Sequence, residues 1–278
     1  MPQSIRIFLF LLVVLFANIM QTITGFAGTV LAMPFSIILI GSDLSRLILN
    51  ILGLLASLGV AVINFKSINW KEVIKICVIM LVGMVAGYLI LGYAQISKQI
   101  LLIILAAFVL LFTIIGCYTT FIKKEKVQDA PVVVSENGEV QQDEVTFKEP
   151  IYKEILLYAI LVVSGVVHGM YVCGGPLLII YATKKLKGKD EFRSTLSFVW
   201  VVLNIVNLVR DIIAGNFAII NSIESIAALV MSIFLLIAAI SIGTLLARRM
   251  DKKKFMIVTY VLMAISAISL ILNACGVF

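Results

Sequence analysis

The sequence predicts an all-α integral membrane protein with about eight long apolar segments in two homologous halves. The halves read as an inverted repeat whose first and fifth segments are broken or fold into hairpins. Three observations lead there: an apolar excess, charge confined to short stretches, and an internal match at a fixed offset.

Of 278 residues, 62% are apolar and 13% charged, whereas a soluble domain carries about half apolar and a quarter charged residues. The charges leave apolar runs at 7–40, 47–65, 73–92, 100–122, 155–183, 195–213, 223–247 and 255–275. A hydrocarbon core takes about 20 residues per helix, and unpaired backbone groups are excluded from lipid, so these runs are expected to be helical. Arg6 before the first run resembles a signal-peptide start, but apolarity continues far past any cleavage point, so the run is expected to stay as membrane structure.

The net charge of +7 sits in clusters beside helix ends, as in Lys184, Lys185, Lys187, Lys189 and Arg193, and in Arg248, Arg249 and Lys252 to Lys254. Such clusters mark cytoplasmic loops and call for no nucleic acid. The hydrophilic stretch 123–153 lacks a period and reads as a connector between an N-terminal membrane repeat, 1–122, and a C-terminal one, 154–278. Cys77, Cys117, Cys173 and Cys275 lie far apart without metal-ligand or disulfide spacing, so no metal is expected.

The repeat is visible in the loop Gly41-Ser-Asp43-Leu-Ser-Arg46, which matches Gly188-Lys-Asp190-Glu-Phe-Arg193 at an offset of 147 (188 − 41). The same offset carries Gly28 to Gly175, Asn69 to Asn216 and Gln21 to His168. Duplicated halves in transporters are often inverted, with the substrate site where broken helices meet. The first run also calls for a break by length. Its 34 residues (7–40) would reach about 51 Å as one helix against a core of about 30 Å.

Breaks are expected where glycine and polar residues interrupt the aliphatic pattern. In the first run that is Gln21-Thr-Ile-Thr24-Gly25-Phe26-Ala27-Gly28; in the fifth it is Gly165-Val-Val-His168-Gly169 through Cys173-Gly174-Gly175-Pro176. A helix restarting inside the membrane offers amides and partial positive charge to an anion, and Pro176 suits a first turn. By contrast, Gly83-x-x-x-Gly87 reads as close helix packing.

These motifs, with Tyr181 and the repeated loop arginines, resemble the TauE/SafE family, described as sulfite and organosulfonate exporters. The resemblance covers nearly the whole chain apart from the connector; Ala27 departs from the family's usual Gly-Phe-Gly. It implies an ATP-independent, multi-pass transporter of a bacterial inner membrane, with sulfite, an organosulfonate or a related sulfur-containing or carboxylate anion as substrate and the two glycine motifs near its path.

The expected substrate-binding residues are Gln21, Thr24, Gly25, Gly28, His168, Gly174, Gly175, Pro176, Asn204 and Arg210. His168 is the only histidine. As a neutral side chain it suits donation to an oxyanion, and as a cation it suits proton coupling. Asn204, Asn207 and Arg210, spaced by three, form a polar stripe. Asp43 and Asp190 precede Arg46 and Arg193 by three residues and read either as local ion pairs or as part of an anion vestibule. No cofactor is expected. P-loop, zincin and serine-hydrolase motifs are missing, so an enzyme lacks its residues. A membrane scaffold, or a sulfur relay through Cys173, are the alternative readings.

Overall fold

The computed structural model describes residues 2–93, 103, 107, 110, 114, 151–172, 174–186 and 188–275. Among the described residues there are nine α-helices: α1 (Gln3–Thr24), α2 (Ala27–Ile40), α3 (Ser42–Ile63), α4 (Trp70–Tyr93), α5 (Ile151–Tyr171), α6 (Gly175–Lys185), α7 (Lys189–Ile213), α8 (Ile223–Arg249) and α9 (Lys252–Ala274). Short 3₁₀ turns precede α4 at Phe65–Ser67 and α8 at Asn216–Ile219. Five helices, α1, α3, α4, α7 and α8, contain stretches long and apolar enough to cross a membrane. Most of the fourth apolar run and most of the connector lie outside the described residues.

Polarity is arranged for lipid. Phe8, Phe16, Val78, Val82, Leu89, Phe234, Ile237 and Leu245 face outward, while Asn18, Gln21, Asn50, Asn204, Asn207 and Asp211 are buried. A soluble bundle would carry these sets the other way round.

Both expected breaks are present. The first run divides at Gly25 and Phe26 into α1 and α2, with α2 continuing through Pro34. The fifth divides near Val172 and Gly174 into α5 and α6. At each break a residue in the left-handed region ends the first helix, Gly25 at φ +85° and Val172 at φ +59°. Each closes the same bond, from Gly25 N–H to the Gln21 carbonyl at 2.7 Å and from Val172 N–H to the His168 carbonyl at 2.8 Å. The two residues are related by the 147 offset (172 − 25), so the duplication extends to backbone conformation.

The halves are inverted. Helices α3 and α7, equivalent by the offset, pack against each other antiparallel: Arg46 near the start of α3 meets Asp211 near the end of α7. At the other end, Asn69, just past α3, donates its N–H to Thr195 Oγ1 (3.0 Å) and Nδ2 to Glu191 Oε1 (2.8 Å) on the first turns of α7. Two further pairs of interfaces are related in the same way, α1 on α8 with α5 on α4, and α1 on α2 with α5 on α6. A two-fold relation passing through the α3–α7 contact accounts for these pairs.

The two ends of the bundle differ in charge. One gathers Lys66, Lys71, Lys75, Lys184, Lys185, Lys189, Arg248 and Arg249, and it is tied by Tyr181 to Glu72, Lys185 to Glu154, and Lys189 to the Ala247 and Met250 carbonyls. The opposite, lysine-poor end holds Arg6, Arg46 and Arg210.

Candidate functional site

The two breaks face each other at the centre of the bundle. The Gly175 Cα, at the start of α6, lies so close to the other break that an added Cβ would stand 3.4 Å from the Phe26 carbonyl oxygen and 3.5 Å from Val30. Between the breaks is a cavity of about 10 Å³ lined by Gln21, Phe26, Thr29, Val30, His168, Val172, Gly175, Trp200 and Asn204. That volume admits about one water molecule, so the centre is closed in this conformation. No carboxylate is among the lining residues.

Gln21 closes the first break from within. Its Oε1 accepts the Gly28 N–H at 2.7 Å, and its Nε2 donates to Ser57 Oγ at 3.2 Å. A helix-start amide, the group that attracts anions, is thus occupied by a neutral carbonyl oxygen. Gly28 must lack a side chain here, because a Cβ would meet Gln21 Cβ at 2.7 Å. Thr24 is buried beside it, with Oγ1 donating to the Met20 carbonyl at 2.8 Å and accepting the Phe26 N–H at 3.4 Å. It shapes the break and is not a lining residue.

His168, at the position matching Gln21, is 1% exposed. Asn204 is its polar neighbour, yet neither ring nitrogen reaches a partner with hydrogen-bond geometry. Trp200 Nε1 and Asn204 Oδ1 are also buried without partners. Unpaired donors and acceptors are costly in a buried setting, and here they converge on one cavity.

Gly174 supports the second break. Its carbonyl accepts from Ser164 Oγ at 2.7 Å, and a Cβ would sit 2.4 Å from the Ser164 carbonyl oxygen. Pro176 occupies the first turn of α6 and is buried. Gln21, His168, Gly175 and Asn204 therefore meet at the cavity, with Gly28 bonded to one of them, whereas Thr24, Gly25, Gly174 and Pro176 shape the two breaks without lining it. Arg210 stands apart: it lies at the lysine-poor end, its guanidinium 4.8 Å over the Tyr88 ring. Cys173 lies outside the described residues.

The matched loop arginines reach across the molecule. Arg46 pairs with Asp211 on α7, and Arg193, itself buried, donates Nε to the Thr22 carbonyl in the last turn of α1. Tyr181 likewise ties α6 to α4 through Glu72 Oε2 at 2.6 Å and is not at the cavity.

Trp200 was not expected at the site. It lies four residues before Asn204 on the same face of α7, and the offset carries Gly53 to it (200 − 53 = 147). A tryptophan in an apolar run usually marks an interface anchor, so the residue alone does not announce a buried N–H.

No curated protein and no solved structure matches the chain. The family model described as "Sulfite exporter TauE/SafE" matches residues 10–270, and the chain is accordingly a member of the TauE/SafE family of integral membrane proteins.

Proposed function

We propose that this protein is a secondary, ATP-independent transporter of a small anion, with sulfite, an organosulfonate or a related sulfur-containing or carboxylate anion as substrate. The observation that carries the reading is the central cavity. Two inverted helix breaks converge there, its lining has no carboxylate, and it presents donors that no described residue satisfies. Family membership points the same way.

In this reading an oxyanion takes the place of Gln21 Oε1 at the Gly28 amide and accepts from Trp200 Nε1 and from one nitrogen of His168. A charge-assisted hydrogen bond is roughly twice as strong as a neutral one, which favours the exchange. Gly25, Gly174, Gly175 and Pro176 let the backbones approach, Thr24 holds the first break, and Asn204 orients the imidazole. His168 is also the group that would carry a proton with the anion. The cavity has room for about one water, so loading requires α1–α2 or α5–α6 to move. The membrane is the inner membrane of a bacterium, with the lysine-rich end cytoplasmic.

The test is flux into proteoliposomes of sulfite, sulfoacetate, thiosulfate and oxalate, with and without a pH gradient. It is paired with tryptophan emission in a Trp70→Phe variant, where Trp200 is the remaining tryptophan. Saturable flux of at least one anion, with a matching change in Trp200 emission, is expected. No flux and a silent Trp200 would overturn the reading in favour of a scaffold.

A further inference from the structure

A second group of unsatisfied polar atoms lies away from the central cavity, at the lysine-poor end. Asp211 is 1% exposed, and its two oxygens are treated unequally. Oδ1 receives Arg46, Asn216 Nδ2 at 2.9 Å and Arg210 Nη1 at 3.4 Å, while Oδ2 is buried with no partner among the described residues. Two guanidinium groups share one carboxylate oxygen. One turn deeper on α7, Asn207 accepts from Tyr88 OH at 2.7 Å, but its Nδ2 donor is buried and unpartnered.

These residues continue the face of α7 that lines the cavity. Trp200, Asn204, Asn207 and Asp211 are spaced by four, three and four, a single stripe reaching about 16 Å from the cavity to the cluster. The side chains of Arg46 and Arg210 are 16% and 32% exposed, so the outer end of the stripe is open to solvent.

We propose that Arg46, Arg210 and Asn207 form a second binding station for a small oxyanion at the lysine-poor end, which the Asp211 carboxylate fills when no anion is present. An arriving anion with two or more oxygens accepts from both guanidinium groups and, through a second oxygen, from Asn207 Nδ2, which Asp211 leaves unpaired. The repeat supports a dedicated role. The offset carries Asn64 to Asp211 and Arg46 to Arg193, yet Asn64 donates to the Val60 carbonyl of its own helix, and among the described residues neither it nor Arg193 makes an ion pair. Among the described residues the station is therefore built at one end. It rests on the transport reading above, to which it adds a place where the anion is first held.

The test uses the full chain in nanodiscs, with sulfite as the probe. Calorimetry in a His168→Ala background, which weakens the central cavity, reads the station. Asp211→Asn is expected to tighten sulfite binding about tenfold, the order expected on removing a charged competitor from two arginines. Arg46→Gln or Arg210→Gln is expected to weaken it by about as much. An ion pair that only holds helices together predicts the opposite pattern: Asp211→Asn and Arg46→Gln both lower the melting temperature and leave sulfite affinity unchanged, which would overturn the station. Should Asp211→Asn fail to fold, the two arginine variants decide alone. If Trp200 emission and flux respond to sulfite while these variants bind it as the parent does, the station falls and the central site stands. If flux, emission and calorimetry are all silent, both fall.

Discussion

Gln21 Oε1 occupies the Gly28 amide that the proposed transport reading assigns to the anion, so in that reading its chemistry sets how readily the site is vacated. Gln21→Glu places a carboxyl group on the Gly28 amide that, when ionised, competes with the anion there, and it is expected to cut sulfite flux by about tenfold or more above the pH at which it ionises, measured in proteoliposomes. Gln21→Ala frees the amide and should lower the concentration of sulfite giving half-maximal flux. His168→Ala and Arg210→Ala should each reduce flux with normal membrane insertion; parental rates in both would remove them from the path. Gly25→Val forces a side chain into the left-handed region, where a Cβ would also meet the Arg193 carbonyl oxygen at 2.9 Å. It is expected to cost about 1–2 kcal/mol, read as a lower melting temperature in detergent. Gln21 and His168 could be found in the sequence because one offset pairs them. Val172 could not, since β-branched residues avoid positive φ and no residue signal marks one held there by its surroundings.

The tightest contact between elements is α4 against α5, and its cause is glycine. Cβ atoms added at Gly83 and Gly165 would stand 2.2 Å from the carbonyl oxygens of Val162 and Met80, and Gly87 and Gly169 meet Val166 and Met84 in the same way. The expected packing role of Gly83 and Gly87 is thus joined by two glycines assigned in the sequence to the second break. Gly165→Ala pushes backbone against backbone and is expected to cost about 1–3 kcal/mol, visible in thermal unfolding and without any change in the anion preferred by the folded fraction. The helix breaks were legible because length alone forbade single spans and glycine marked the place. The antiparallel α3–α7 contact was not, because it depends on which faces meet across a hundred residues or more.

At the scale of the molecule, the charge difference between the ends predicts an orientation that can be measured. In a background lacking the four native cysteines, Ala218→Cys should react with an impermeant maleimide on intact cells, and Lys184→Cys only after permeabilisation. The reverse pattern would invert the assignment. The inverted duplication was readable from a six-residue loop and a single offset, but the offset says nothing about where the halves have diverged. Their divergence at the breaks has a kinetic meaning. One pivot turns on glycine, which visits the left-handed region freely, and the other on valine, for which that conformation costs of the order of 1–3 kcal/mol. In the proposed carrier, two identical pivots would contribute no preference for the side of the bilayer to which it opens. Unlike ones tilt that balance, and a difference of about 1.4 kcal/mol makes one facing state tenfold more populated at rest. A carrier of the proposed kind would then wait with one door favoured, whatever gradient finally drives its cargo.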